Sequence, residues 1–265
     1  MLSFVVAGFG VGAAVGLTGV GGGSLMTPLL ILLFGFAPSA AVGTDLLYAA
    51  GTKGFGTWLH GRQQTVDWPV VGLMAAGSLP AAILTIAWLH MVGLEPWVQE
   101  LMVVTLAITM ILTAVLTFVR DRLVNWLKHR MLFVAGRSQA ELLAWRPTIT
   151  VIGGVALGIL VSLSSVGAGV LGTTMLLVLY PNTRAVRIVG TDITHAVPLT
   201  LIAGLGHLTL GTSDLGVLGL LLLGSLPGIY IGTRVGWRLP DHWLRPLIAT
   251  VLILVALSML FKTLF

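Results

Sequence analysis

Three ionisable residues stand where the chain is otherwise apolar, and they are the first candidates for chemistry. Asp45 and Asp192 each follow a Gly-Thr pair near the start of a long apolar run, and Lys53 lies eight residues beyond Asp45. At helical spacing Asp45 and Lys53 share one face with Thr52 and His60, and His195, three residues beyond Asp192, shares the face of that aspartate. A charge inside an apolar span is costly and usually functional. Asp45, Asp192 and His195 are therefore the candidate coupling residues, handling an ion or a conformational change. Helix capping is the competing role for the two aspartates, because a carboxylate near a helix N-terminus stabilises the macrodipole. An Asp45 partner would neutralise Lys53. His60, His207, Asp67 and Asp214 read as helix-end residues, at the surface or capping.

Two glycine-rich breaks are the second feature. One reads Thr18-Gly19-Val20-Gly21-Gly22-Gly23-Ser24, the other Ser164-Ser165-Val166-Gly167-Ala168-Gly169. Each glycine weakens a helix by about 1 kcal/mol relative to alanine. A glycine-rich turn leading into a helix frees backbone N–H groups that carry partial positive charge and bind anions. Gly21, Gly22, Gly23, Gly167 and Gly169 leave those amides open. Thr18, Ser24, Ser164 and Ser165 add hydroxyl donors, and Lys53 adds longer-range attraction. This set is the candidate anion-binding site. Close helix packing is the alternative use of such small residues.

No catalytic constellation accompanies these residues. There is no nucleophile elbow, no zinc-protease helix motif and no Walker sequence. The chain has no cysteine, which excludes disulfides, thiolate chemistry and cysteine–zinc sites, and its 6 histidines show no metal-ligand pair at helical spacing. Gly167-Ala168-Gly169-Val170-Leu171-Gly172 matches a dinucleotide fingerprint in letters only, without the strand–helix–strand context or a suitably placed acidic partner. Neither a cofactor nor a metal is expected.

The elements that position these residues are membrane helices. Of the 265 residues 57% are hydrophobic and 9% charged, against about 25% charged in a soluble domain; mean hydropathy is +1.03. Lipid is the solvent that suits such a surface, and each span needs about 20 apolar residues. The net charge of +5 comes from basic residues in short loops, which points to topology and not to nucleic acid. No basic stretch precedes the first apolar segment, so that segment is expected to stay.

The chain is also a duplication. Val42-Gly43-Thr44-Asp45 recurs as Val189-Gly190-Thr191-Asp192 at an offset of 147, and Gly77-Ser78-Leu79-Pro80 recurs as Gly224-Ser225-Leu226-Pro227 at the same offset. His60 and His207, Thr65 and Thr212, and Asp67 and Asp214 keep that offset too; the glycine-rich breaks match one residue out of step. Residues 1–119 form a first transmembrane repeat, 120–146 a basic linker, and 147–265 a second repeat. Each repeat begins with a long uncharged segment, expected to be a re-entrant hairpin of two short helices of about 16 residues, and continues with three spans. The spans cover roughly 40–60, 67–90 and 97–119, then 188–206, 214–233 and 244–262.

The positive-inside bias sets the orientation. With the linker in the cytoplasm, all 14 Lys and Arg residues fall inside except Lys53, within a span, and Lys262. That trace needs each first segment to return to the side it entered from, so the two repeats have inverted topology, as in many secondary transporters. Broken backbone in a bilayer must be buried in protein or face water, which places both breaks at the centre where the repeats meet.

The quoted motifs, with the His60 to Trp68 stretch His-Gly-Arg-Gln-Gln-Thr-Val-Asp-Trp, resemble the TauE/SafE sulfite-exporter family. The likeness covers nearly the whole chain apart from the linker. It implies a multi-pass carrier of the bacterial inner membrane for a small sulfur oxyanion or organosulfonate, such as sulfite. The expected reading is an all-α polytopic membrane protein, not an enzyme, that exports a small anion. Its partners are the lipid bilayer, the anion and a proton or sodium as coupling ion, with no nucleic acid. An anion channel is the alternative.

Overall fold

A computed structural model describes residues 1–18, 23–133, 137–236 and 241–264. Among the described residues the chain has no strand and ten helices. They are α1 (Leu2–Thr18), α2 (Gly23–Phe34), α3 (Pro38–Arg62), α4 (Trp68–Val92), α5 (Pro96–Phe133), α6 (Arg137–Ser164), α7 (Val170–Leu179), α8 (Ala185–Thr209), α9 (Leu215–Gly236) and α10 (Asp241–Leu264). Prolines open several of them, where the missing N–H costs no helical bond: Pro38 begins α3, Pro96 begins α5, and Pro69 lies in the first turn of α4.

Five stretches are long and apolar enough to cross a membrane: Trp68–Val92, Pro96–Arg120, Ala144–Ser164, Ala185–Thr209 and Leu215–Gly232. The chain is a multi-pass membrane protein. Its outward surface suits lipid, with Leu84 and Leu223, on α4 and α9, more than 60% exposed. Helix α3 has the length of a span, 25 residues, but it carries Asp45, Lys53 and several glycines.

The structure departs from the sequence expectation in three places. The linker is not an open connector: α5 continues unbroken to Phe133 and α6 begins at Arg137, while 134–136 lie outside the described residues. Lys and Arg are good helix formers, so a basic stretch after a span prolongs the helix. The hairpin arms are also unequal. The apolar part of α6 runs 21 residues, Ala144–Ser164, whereas α7 has 10 and α2 has 12. Third, His207 is not at the surface but fully buried, because α8 runs on to Thr209 and packs that turn inward.

Packing links the halves. Helix α1 runs parallel to α9, with Gly8 against Leu221, Gly12 against Ser225 and Gly228 against Phe9. Helix α6 runs parallel to α4 in the matching way, with Gly154 against Met74 and Gly158 against Ser78. At the equivalent Gly224 and Gly77 an added Cβ would collide with the carbonyl oxygens of Val5 and Val151. Backbones this close gain van der Waals contact, the main attraction left between helices in lipid. Helices α3 and α8 pack antiparallel, Gly56 opposite Ile193 and Gly204 opposite Leu47, and α5 packs on α10.

Each first segment folds back. Phe4 stacks on Phe34 with ring centroids 4.4 Å apart, so α2 ends beside the start of α1. The Thr150 and Tyr180 hydroxyls, 3.0 Å apart, close the α6–α7 hairpin likewise. The helix ends form two groups. At one, Arg187 pairs with Asp67 at 3.6 Å and Arg146 lies over the Tyr180 ring. At the other, Ser39 bonds Gln99 and His90 bonds Thr209.

Candidate functional site

The Val-Gly-Thr-Asp motif does three separate jobs, one per residue after the valine. Its glycine lets the other repeat's histidine loop come close: a Cβ on Gly190 would meet the Thr65 carbonyl oxygen and the His60 ring, and one on Gly43 would meet Ser213, His207 and Thr212. Its threonine ties down that loop. The Thr191 hydroxyl accepts the Asp67 N–H at 2.9 Å, and the Thr44 hydroxyl accepts the Asp214 N–H at 3.1 Å. These bonds satisfy N–H groups just ahead of α4 and α9, which have no intrahelical partner.

The motif's aspartate turns to the centre. Helices α3 and α8 begin at Pro38 and Ala185, so Asp45 and Asp192 lie well inside them. The macrodipole acts within the first turn, so neither aspartate is a cap. Asp45 is fully buried and accepts the Thr27 hydroxyl of α2 at 2.5 Å, while its Oδ1 has no hydrogen-bond partner. Asp192 lies against Gly172 of α7, where a side chain would displace it, and its Oδ1 is also unpartnered.

Lys53 is buried, and its ammonium donates to the Ala168 carbonyl at 2.7 Å, inside the second glycine-rich break. It stands in the electrostatic field of Asp192 and of Asp45. The sequence expectation that Asp45 and Lys53 share a face agrees with this; what the sequence did not supply is the carbonyl across the repeat boundary. Asp192 and His195 also share the buried side of α8, where His195 Nε2 lies 2.7 Å from the Ser78 hydroxyl and Nδ1 has no partner.

The second break, residues 165–169, is buried broken backbone. Ser165 adopts a left-handed conformation with φ 59°, and Gly167 and Gly169 have φ 123° and 142°. A left-handed serine costs about 1 kcal/mol or more. Gly169 caps α7 without any side-chain bond, so the first-turn amides of α7 have no capping side chain. Ser165 is buried, and its hydroxyl faces the Asp45 carboxylate without a hydrogen bond of ordinary geometry. Ser164 behaves otherwise. Its hydroxyl lies 2.6 Å from the Leu160 carbonyl and 3.2 Å from the Val166 N–H, and it accepts from Thr109 at 3.3 Å. Ser164 therefore holds the turn together and has less to offer a ligand than Ser165.

In the first break, Gly21 and Gly22 lie outside the described residues, as do the side chains of Thr18 and Ser24; Gly23 opens α2. Thr27 and Ser78 were not singled out from sequence. Ser78 carried a signal, since it belongs to the repeated Gly-Ser-Leu-Pro motif; Thr27 carried none. Of the helix-end residues, Asp214 is a cap, its Oδ1 accepting the Val217 N–H at 2.9 Å. Asp67 makes no side-chain cap and pairs with Arg187. His207 spends both ring nitrogens structurally, on Thr212 at 3.2 Å and the Ser162 carbonyl at 2.9 Å. Among the described residues no group of His, Asp and Glu is arranged to hold a metal.

The centre thus gathers one ammonium, two carboxylates, an imidazole, hydroxyls and a broken helix, with several polar atoms unpaired. Comparison with known proteins fits a membrane chain of this design. The family model described as sulfite exporter TauE/SafE matches residues 4–259. A protein of Bacillus subtilis (strain 168) named probable membrane transporter protein YjnA is 38% identical over 260 residues, 98% of this chain and 99% of that one. Probable membrane transporter protein YdhB, from the same organism, is 27% identical over 253 residues, 96% of this chain and 97% of its own length. No solved structure matches.

Proposed function

This chain belongs to the sulfite exporter TauE/SafE family of membrane transporters, and from that premise we propose that it is a secondary carrier exporting a small sulfur oxyanion or organosulfonate such as sulfite. It is a transporter and not an enzyme. The observation that carries the substrate reading is the buried second break, with the Ser165 hydroxyl beside Asp45 and Lys53 bound to the Ala168 carbonyl. An anion in hydrocarbon needs donors. Here Lys53, the Ser165 hydroxyl and the amides opening α7 supply them, and Thr18, Gly21, Gly22, Gly23 and Ser24 of the first break are proposed to complete the set.

Charge supports coupling. One ammonium between two carboxylates leaves the centre net negative when all three are ionised. One neutralised carboxylate brings the centre to zero and two make it net positive, so an anion is held off until at least one carboxylate is neutralised. Anion entry and ion uptake therefore belong together, and Asp45 and Asp192 are the groups that take the charge. His195 lies on the same buried side and completes the coupling set.

The two repeats are read as inverted, with the linker in the cytoplasm of a bacterial inner membrane. Equivalent helices α3 and α8 running antiparallel across their shared contact support that reading, because repeats of one orientation would set them parallel. The grouping of Arg62, Arg146, Arg184 and Arg187 at one end supports the orientation. The dense packing of the centre favours a carrier over a channel. Thermal-shift screening of the purified protein against sulfite, sulfate, thiosulfate and sulfonates tests the substrate class. Stabilisation by none of them overturns it, and proteoliposome flux that fails to saturate would make the protein a channel.

A further inference from the structure

The two ends of the molecule match in position and differ in chemistry. One hairpin is closed by Phe4 stacked on Phe34, with Phe36 edge-on to Phe4 at 6.1 Å. The other is closed by Thr150 and Tyr180, whose hydroxyls are 3.0 Å apart. The two pairs occupy matching positions, one residue out of step like the glycine-rich breaks. Aromatic rings plug one end, and polar groups stand at the same place in the other. Asp214 is used as a helix cap, its Oδ1 accepting the Val217 N–H, whereas its counterpart Asp67 makes no side-chain cap.

The polar end holds a cleft of about 200 Å³, its open mouth included, between the start of α4, the end of α7 and the start of α8. Its polar lining is Asp67, Tyr180, Thr183 and Thr191. Two guanidinium groups stand beside these residues. Arg146 lies 5.9 Å over the Tyr180 ring, and Arg187 meets Asp67 through Nε at 3.6 Å, longer than a hydrogen bond. The Arg187 side chain is 50% exposed, and a pair so open to water is weak. A guanidinium can hold an oxyanion through two parallel N–H donors, a better fit than one long contact with a carboxylate.

We propose that this cleft is a one-sided capture site for a small oxyanion, in which Arg187 exchanges Asp67 for the anion and the Tyr180 and Thr183 hydroxyls line its way. Asp67 is then a placeholder. It keeps the guanidinium at the cleft and competes with the anion for it. The opposite end has Phe34, Ala37 and Ala40 at the matching positions, so it offers neither those hydroxyls nor the arginine. A carrier asymmetric in this way collects a dilute anion from the basic side, the side read as cytoplasm, and an exporter loads from there. This loading role rests on the carrier reading given above.

The test presents radiolabelled sulfite to one face at a time, in inside-out and right-side-out vesicles carrying the full chain. From the basic face, Arg187→Gln should lower kcat/KM about fivefold, and Asp67→Asn, which frees the guanidinium, should raise it about threefold. From the opposite face both should stay within about twofold. The gap between the two variants should narrow in about 0.5 M salt, where charges are screened over a few ångström. If Arg187→Gln does not fold, Arg187→Lys serves, with the smaller loss expected of a point charge without the fork. A merely structural ion pair gives the same loss in both variants at both faces, and that result overturns the proposal; so does equal kcat/KM in all three proteins. If the unsubstituted chain carries no sulfite from either face, the carrier reading fails. The cleft is then judged on thermal unfolding of the purified protein in sulfite and in sulfate. Asp67→Asn should be stabilised at lower anion concentration than Arg187→Gln, and equal or absent responses overturn the capture site.

Discussion

The Thr44 hydroxyl accepts the main-chain N–H of Asp214 at 3.1 Å, tying the first repeat's helix α3 to the turn that starts α9 in the second. Thr191 and Asp67 make the same bond in the opposite sense at 2.9 Å. The two ends of the molecule are thus closed by one device used twice. Among the described residues the Asp67 end adds an ion pair, Arg187 with Asp67, and Ala40 occupies the position equivalent to Arg187.

Removing one of these bonds should cost little, and crowding the glycine beside it should cost more. Interhelical side-chain bonds in membrane proteins are worth about 0.6 kcal/mol, so Thr44→Ala or Thr191→Ala should lower Tm by about 2 °C. Gly190→Val drives a side chain into the His60 loop, with overpacking of about 1–3 kcal/mol, and should lower Tm several-fold further. Scanning fluorimetry on detergent-purified variants measures both; equal shifts for Thr191→Ala and Gly190→Val would contradict the close approach.

Orientation is checked by labelling. Ser138→Cys and Gly211→Cys, in a chain with no native cysteine, should react with an impermeant maleimide from opposite sides of the membrane. Reaction of both in intact cells, or of both only after lysis, contradicts the inverted arrangement.

Transport should depend on pH through the central carboxylates. Protonation neutralises an aspartate, so anion uptake into the site should rise as pH falls. Asp45→Asn and Asp192→Asn fix the neutral form, and at least one should flatten that dependence and slow exchange about tenfold or more. Sulfite counterflow in proteoliposomes over a pH series reads this. Ordinary pH profiles in both variants would leave the aspartates a structural role only.

Filling the breaks should remove the anion. Gly22→Val and Gly167→Val each place a branched side chain where amides must stay open, and sulfite affinity should fall about tenfold or more, a loss of about 1.4 kcal/mol. Calorimetry on variants with unchanged helicity decides it. Unchanged affinity in both would return the breaks to a packing role.

Much of this architecture was legible because polar residues in an apolar chain keep their register. Asp45 with Asp192, Thr65 with Thr212 and Ser78 with Ser225 marked the duplication, and the Thr65–His60 and Thr212–His207 contacts turn out equivalent. Which partner each polar group meets was not legible. The Asp45–Thr27 and Lys53–Ala168 contacts join positions 18 and 115 residues apart, and nothing local in either segment names the other. His207 was misread because spans were bounded by polar residues, whereas its polar atoms are satisfied internally and the helix runs on. The linker was read as a basic connector with no helix assigned to it, although Lys and Arg extend a helix readily.

The pairing of α1 with α9, and of α6 with α4, has a consequence for how the protein is made. In synthesis, seven helices separate the glycine face of α1 from α9, the helix that covers it. For most of translation that groove holds lipid or the insertion machinery. Neither half completes its own helix pairs, so the two repeats, expressed as separate polypeptides, should accumulate only when both are present in the same cell.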